Sequence, residues 1–225
     1  QIYGEQLRYQ DMGYDLWSVT TGVYTGMRGI LPPIQRYIYL YIPLITMGLM
    51  SREYQSGSIK LLYSSPVKNT SIIMGKFLSM MVYGVVLIGV LGVFVIFSAI
   101  TIVNFDYPLV LSGMLGLYLL ILAYSAIGLF MSSITKYQVV AAIGTLAVLA
   151  VLNFIGDVGQ DYDLVRHITY WLSITGRAYP FIDGLVASDN IFYFLIVIGF
   201  FLALSILKLN TEKTIMPLKI KVLKY

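Results

Sequence analysis

Cysteine is absent from the sequence, and histidine occurs once, at His167. The first absence removes disulfides, thiolate chemistry and Cys-ligated metals. The second leaves no zinc or haem site that this chain could build alone. Charge is also scarce. Only 12% of the 225 residues are charged and 58% are hydrophobic, whereas soluble domains carry about a quarter charged residues. Such a chain cannot clothe a water-facing surface of its size, so lipid is the expected solvent. A signal-peptide pattern is missing too: residue 1 is Gln, and no basic start, short apolar run and small-residue cleavage site follow. The numbering is therefore expected to begin inside a longer protein.

The distribution of the few charges supports this reading. No Asp, Glu, Lys, Arg or His occurs from Phe77 to Val103, Tyr107 to Thr135, Tyr137 to Gly156 or Asn190 to Leu207. Each stretch approaches or exceeds the ~20 residues that cross a ~30 Å hydrocarbon core as a helix. With an earlier segment at 34–50, they predict an all-α integral membrane protein with five spans, at about 34–50, 77–103, 109–131, 139–155 and 191–207. Residues 1–33, rich in glycine and polar groups, are expected to lie outside the membrane, and 209–225 form a basic tail. Arg36 and the alternating Tyr37, Tyr39 and Tyr41 suit a headgroup boundary, where a polar tip stays wet above a buried stem. Pro43 is expected to kink the first span, because it removes a backbone donor and crowds the preceding turn.

Five spans place the two ends of the chain on opposite sides. One face collects ten Lys and Arg against two acids, a net +8, and the other five Arg against nine acids, a net −4. Basic residues are retained on the cytoplasmic face. The chain is thus expected to begin outside and to end in the cytoplasm.

Two loops are long enough to carry function. The cytoplasmic loop, 51–76, reads as a short helix from Arg52 onward, a boundary at Ser65-Pro66, where proline disfavours a helical predecessor, and a second helix capped by Asn69, Thr70 or Ser71. The outer loop, about 157–189, is acidic at both ends but apolar between. It is expected to fold back as interfacial or re-entrant helices around Trp171, broken at Gly176 and Pro180, because irregular backbone at membrane depth needs protein around it.

Catalytic and cofactor signatures are weak throughout. Gly75-Lys76 looks like the end of a phosphate-binding loop, but Phe77 stands where Ser or Thr should follow, and no glycine lies five residues before Gly75. Asp157, Asp161 and Asp163 read as a solvated acidic loop. No charged residue lies mid-membrane, where carboxylates, histidines or cations mark ion-coupled pathways. The spans' polar residues Asn153, Thr145, Ser125 and Ser98 read as helix–helix contacts. Ser112 and Gly116, a small-xxx-small pair, offer a seat for a neighbouring helix. No catalytic residue, metal site or cofactor is expected.

The cytoplasmic loop carries a recognisable pattern: Arg52-Glu53, Gly57-Ser58-Ile59, Leu61-Leu62, Ser64-Ser65-Pro66-Val67 and Gly75-Lys76. It resembles the signature of ABC-2 type permeases, the membrane subunits of one class of ATP-binding-cassette transporter. Ser58 replaces the family's usual Thr and Lys60 its usual acid. The outer loop, with Trp171-Leu172-Ser173, Gly184-Leu185-Val186 and Asp189 to Phe194, looks most like the branch of gliding-motility and copper-site-maturation permeases. Family members have six spans, so the resemblance implies that a first helix precedes Gln1.

The resemblance implies an exporter's permease subunit, not itself an enzyme, that pairs with a second permease as a homo- or heterodimer and works with a cytoplasmic ABC ATPase. A lipid bilayer is the other partner, and nucleic acid is not among them. It further implies that a helix around Glu53 to Leu62 is a coupling helix docking on the ATPase. Arg52, Glu53, Tyr54 and Lys60 would grip from its polar side, Ile59 and Leu62 from its apolar side, and Gly57 belongs to the motif. A membrane anchor for an extracytoplasmic complex, or an ATP-independent channel or carrier, are the competing classes.

Overall fold

The computed structural model describes residues 19–25, 29–102, 105–155, 169 and 173–222, the side chains of 19 and 215–222 excepted. Among the described residues nine helices occur and no strand. They are α1 (Val19–Tyr24), α2 (Leu31–Thr46), α3 (Gly48–Ser56), α4 (Ile59–Ser64), α5 (Asn69–Thr101), α6 (Tyr107–Ile134), α7 (Gln138–Phe154), α8 (Ile174–Ile182) and α9 (Ser188–Val222). Three are long and apolar enough to cross a membrane: α5, α6 and the part of α9 from Ser188 to Thr214. The 17 residues of α7 are a shorter apolar helix, and α2 has 16. The helix α9 runs without interruption from the apolar segment into the basic tail. Trp171, His167 and the acids Asp157, Asp161 and Asp163 lie outside the described residues.

The chain divides into two compact units. The first comprises residues 1–38, 83–121 and 151–193. Its core gathers Tyr24, Leu31, Leu91, Val110, Leu117 and Ile182. Small residues on α6 make this packing possible. At Gly116 a Cβ would collide with Phe181 of α8, and at Gly113 with Leu31 of α2. Between them, the Ser112 hydroxyl donates to the Phe181 carbonyl at 2.7 Å. Ser112 and Gly116 thus seat a helix, as their spacing suggests, and that helix is α8. The buried Gln35 amide donates to the Thr175 carbonyl at 3.0 Å, and Tyr24 donates to Ser98 at 2.9 Å. Thr175 also hydrogen-bonds Asn153. Two of the intraspan polar residues, Ser98 and Asn153, therefore join elements. Thr145 bonds its own helix, to the Ala141 carbonyl at 2.7 Å.

The expected breaks at Gly176 and Pro180 do not occur, since both residues lie inside α8. Gly176 falls in the first turn, whose N–H groups have no partner within a helix, and its own N–H is capped by the Ser173 hydroxyl at 3.1 Å. Pro180 removes one internal bond. Burial of Ile174, Ala178, Phe181 and Ile182 offsets that loss, at roughly 1.5–3 kcal/mol for a fully buried large apolar side chain. The helix stops instead after Ile182, with Asp183 as its cap, and the chain turns away at Gly184, whose φ of +86° is left-handed backbone suited to glycine. Buried Arg177 donates to Asn190 at 3.2 Å and lies over the Tyr193 ring.

The second unit comprises residues 39–82, 122–150 and 194–225. Here the first expected span is corrected: its helix ends at Thr46 rather than Met50. The cause is a side chain in the backbone ladder. The Ser132 hydroxyl of α6 accepts the N–H groups of Met50 and Ser51 at 2.9 and 3.0 Å and donates to the Met47 carbonyl at 2.8 Å. In an uninterrupted helix the Ser51 N–H would bond that carbonyl directly; the Ser51 hydroxyl bonds it instead. An inserted side chain of this kind ends or bends a helix. Close approach of α6 is again allowed by a glycine, Gly128, where a Cβ would strike Thr46.

Candidate functional site

The second unit carries the loop that the sequence singles out. One helix around Glu53 to Leu62 was expected, but two short ones form, α3 and α4. Gly57 separates them in the left-handed conformation, φ 75°, with its N–H on the Tyr54 carbonyl at 3.3 Å. A side chain there would strain the backbone, which explains why the motif contains glycine. The boundary at Ser65 is as expected: its φ and ψ of −72° and 147° are extended, as the following proline demands. The cap expected of Asn69, Thr70 or Ser71 is not made by Asn69, which is the first residue inside α5; its Oδ1 accepts no hydrogen bond, and its amide donates to Asn210 of α9 at 2.7 Å.

Three attachments hold this helix pair, beside a longer bond from the Gln138 amide of α7 to the Gln55 side-chain oxygen of α3 at 3.4 Å. The Lys76 ammonium of α5 bonds the Glu53 carboxylate of α3 at 2.6 Å, both side chains about three-quarters buried. Tyr63 of α4 donates to Glu212 of α9 at 3.5 Å, and Glu212 also pairs with Lys208 one turn earlier at 3.1 Å. The third is Ser132 of α6, which supplies to α3 the cap that its own Met47 cannot. The Tyr54 hydroxyl is buried and makes no well-formed hydrogen bond. Burial pushes its pKa up, and the neighbouring Glu212 and Tyr63 act in the same direction. Burial raises Tyr63 as well.

These contacts redistribute the residues singled out beforehand. Glu53 and Tyr54, expected to present polar groups outward, are turned inward onto Lys76 and toward Glu212. Ile59 is buried, 4% exposed, and Leu62 is half-buried. Arg52 and Lys60 are exposed. The large apolar residue of the pair that faces outward is Leu61, 75% exposed, a member of the Leu61-Leu62 motif. Neither it nor Ser132 is marked by periodicity. The available signal was an apolar pair, Leu61-Leu62, in a helix too short to bury both, and a Ser132-Ser133 pair closing an apolar run.

The exposed residues of the pair thus include one large apolar side chain, Leu61, and two cations, Arg52 and Lys60. Such a surface binds by docking, an apolar anchor filling a groove and charges fixing the register. Residues 9–160, a stretch containing α1 to α7 and this whole surface, match the family described as ABC-2 family transporter protein. The chain belongs to the ABC-2 transporter family. No curated protein and no solved structure matches it. Members of the ABC-2 family are membrane transport subunits rather than enzymes, and they normally work with an ATPase partner. This ABC-2 chain is accordingly a multi-pass membrane protein, and α5, α6 and α9 supply its clearest crossings.

Proposed function

We propose that the chain is the permease subunit of an ABC exporter of the bacterial inner membrane, moving substrate with ATP hydrolysed by a separate cytoplasmic ATPase. In this reading α2 and α7 join α5, α6 and α9 as five spans, the chain ends in the cytoplasm, and a second permease completes the translocation unit. The charge asymmetry supports that orientation. The outer-loop pattern 184–194 favours the gliding-motility and copper-site-maturation branch.

The observation that carries the proposal is the helix pair α3–α4, tied to α5, α6 and α9, with Leu61, Arg52 and Lys60 exposed on it. ATP binding closes a pair of ATPase subunits, and that motion must reach the spans through something stiff. A force applied at Leu61 passes to α9 through Tyr63 and Glu212, to α5 through Glu53 and Lys76, and to α6 through Ser132. Glu53 and Tyr54 act inside the handle, and Arg52, Lys60 and Leu61 act at its surface. Gly57 sets the angle between the two helices, while Ile59 and Leu62 pack it from within. Purification of the full-length protein from its native membranes in mild detergent tests this. The expected outcome is co-elution of a subunit with a phosphate-loop ATPase sequence and vanadate-sensitive ATP hydrolysis. Elution without any ATPase would favour a membrane anchor and overturn the proposal.

A further inference from the structure

A cavity of about 450 Å³ opens beside α4. It lies between Tyr54, Lys60 and Tyr63 of the helix pair, Ser133 and Lys136 at the end of α6, and Lys208 and Glu212 of α9. Its volume falls within the range of small-molecule sites, roughly 300–1,000 Å³. Charges facing it do not balance. Glu212 is neutralised by Lys208 at 3.1 Å and accepts from Tyr63. Lys60 and Lys136 have no carboxylate partner among the described residues. The cavity therefore carries a net +2 beside hydroxyls of serine and tyrosine.

Its depth in the membrane is fixed by the helices that bound it. The apolar run of α6 closes at Ile134, two residues before Lys136, and that of α9 at Leu207, immediately before Lys208. Where an apolar run gives way to lysine, headgroups begin. Ile134, which lines the cavity, is 47% exposed, and Leu207, the residue before Lys208, is 60% exposed, so apolar surface for acyl chains begins at the cationic cavity. A free anion has no use for that surface; an amphiphile does.

We propose that this cavity binds the phosphodiester headgroup of an anionic phospholipid, with Lys60 and Lys136 as its ion-pair partners and its chains against Ile134 and Leu207. Because Lys60 lies on α4, an occupied site ties the helix pair to the leaflet as well as to the spans. The inference needs no ATPase, and its test reads lipid binding alone.

Native mass spectrometry of the full chain in detergent, titrated with dioctanoyl phosphatidylglycerol, provides that test. Each cation near a headgroup contributes enough that losing two weakens binding about thirtyfold. The Lys60→Gln/Lys136→Gln double variant is expected to lose the first lipid by about that factor, and Lys68→Gln, a loop lysine outside the cavity, to retain it. Dioctanoyl phosphatidylcholine should bind the wild type far more weakly. Equal binding of the two lipids, or an unaffected double variant, would overturn the proposal. So would displacement of phosphatidylglycerol by equimolar inorganic phosphate, which would identify a free-anion site.

Discussion

Replacing Glu53 by Gln removes one half of the ion pair with Lys76 and keeps the shape of the side chain. At 2.6 Å the bare attraction is about 6 kcal/mol for an effective dielectric of 20, and desolvation of both groups takes back much of it. Exposed pairs are worth about 0.2–1 kcal/mol, and breaking a fully buried one costs about 3–5 kcal/mol. Side chains 22% and 25% exposed fall between these limits, so the loss is about 2 kcal/mol. For a chain of this length that corresponds to a Tm lower by about 4–8 °C. The assay is thermal unfolding of the detergent-solubilised protein followed by intrinsic fluorescence. Lys76→Gln should show a similar drop. The double variant should be less destabilised than the sum of the two by about 1 kcal/mol or more, because residues in contact couple. A Glu53→Gln protein that melts within about 1 °C of the wild type, or strict additivity, would refute the assignment of this pair as the tie between α3 and α5.

Ser132→Ala leaves two α3 N–H groups and the Met47 carbonyl without the hydroxyl they share; a loss of about 1–3 kcal/mol should appear in the same melting assay, while Ser79→Ala, at an exposed serine, should not melt earlier. Gly116→Ala should destabilise despite about 1 kcal/mol of better helix propensity, since its Cβ meets the Cβ of Phe181, an atom that cannot move far. Gly75→Ala, with open space around it, should raise Tm instead. The raised pKa of Tyr54 predicts an alkaline effect. A phenol whose folded pKa exceeds its ordinary value of 10 contributes stability that is present below pH 10 and lost as pH rises above it. Melting temperature should therefore fall more steeply above pH 10 for the wild type than for Tyr54→Phe.

What the sequence made legible follows from the range of the physics involved. Solvent and helical class depend on composition and on runs of 18 residues or more, and these are written along the chain at α5, α6 and α9. The loop motif located the helix pair, and Pro66 located its end, because a proline constrains its own neighbour. The interruption at Met47 was not legible, because its cause, Ser132, lies 85 residues away. Likewise Glu53 looks like an outward-facing charge until Lys76 is brought 2.6 Å from it. Gly176 and Pro180 read as breaks because local propensity carries no trace of the Ser173 cap or of the buried face of α8. Local rules failed where partners distant in sequence supplied the deciding contact.

The central claim is that the exposed side of α3–α4 transmits the work of an ATPase, and Leu61→Asp tests it most directly. Leu61 is 75% exposed, so the substitution should leave the melting temperature unchanged. A charged group in place of a docking anchor costs at least about 2 kcal/mol at an interface hot spot, or about thirtyfold in affinity. The measurement is the amount of ATPase subunit recovered with detergent-purified full-length protein. The account predicts that recovery collapses for Leu61→Asp while the protein stays folded; recovery equal to that of the wild type would contradict it.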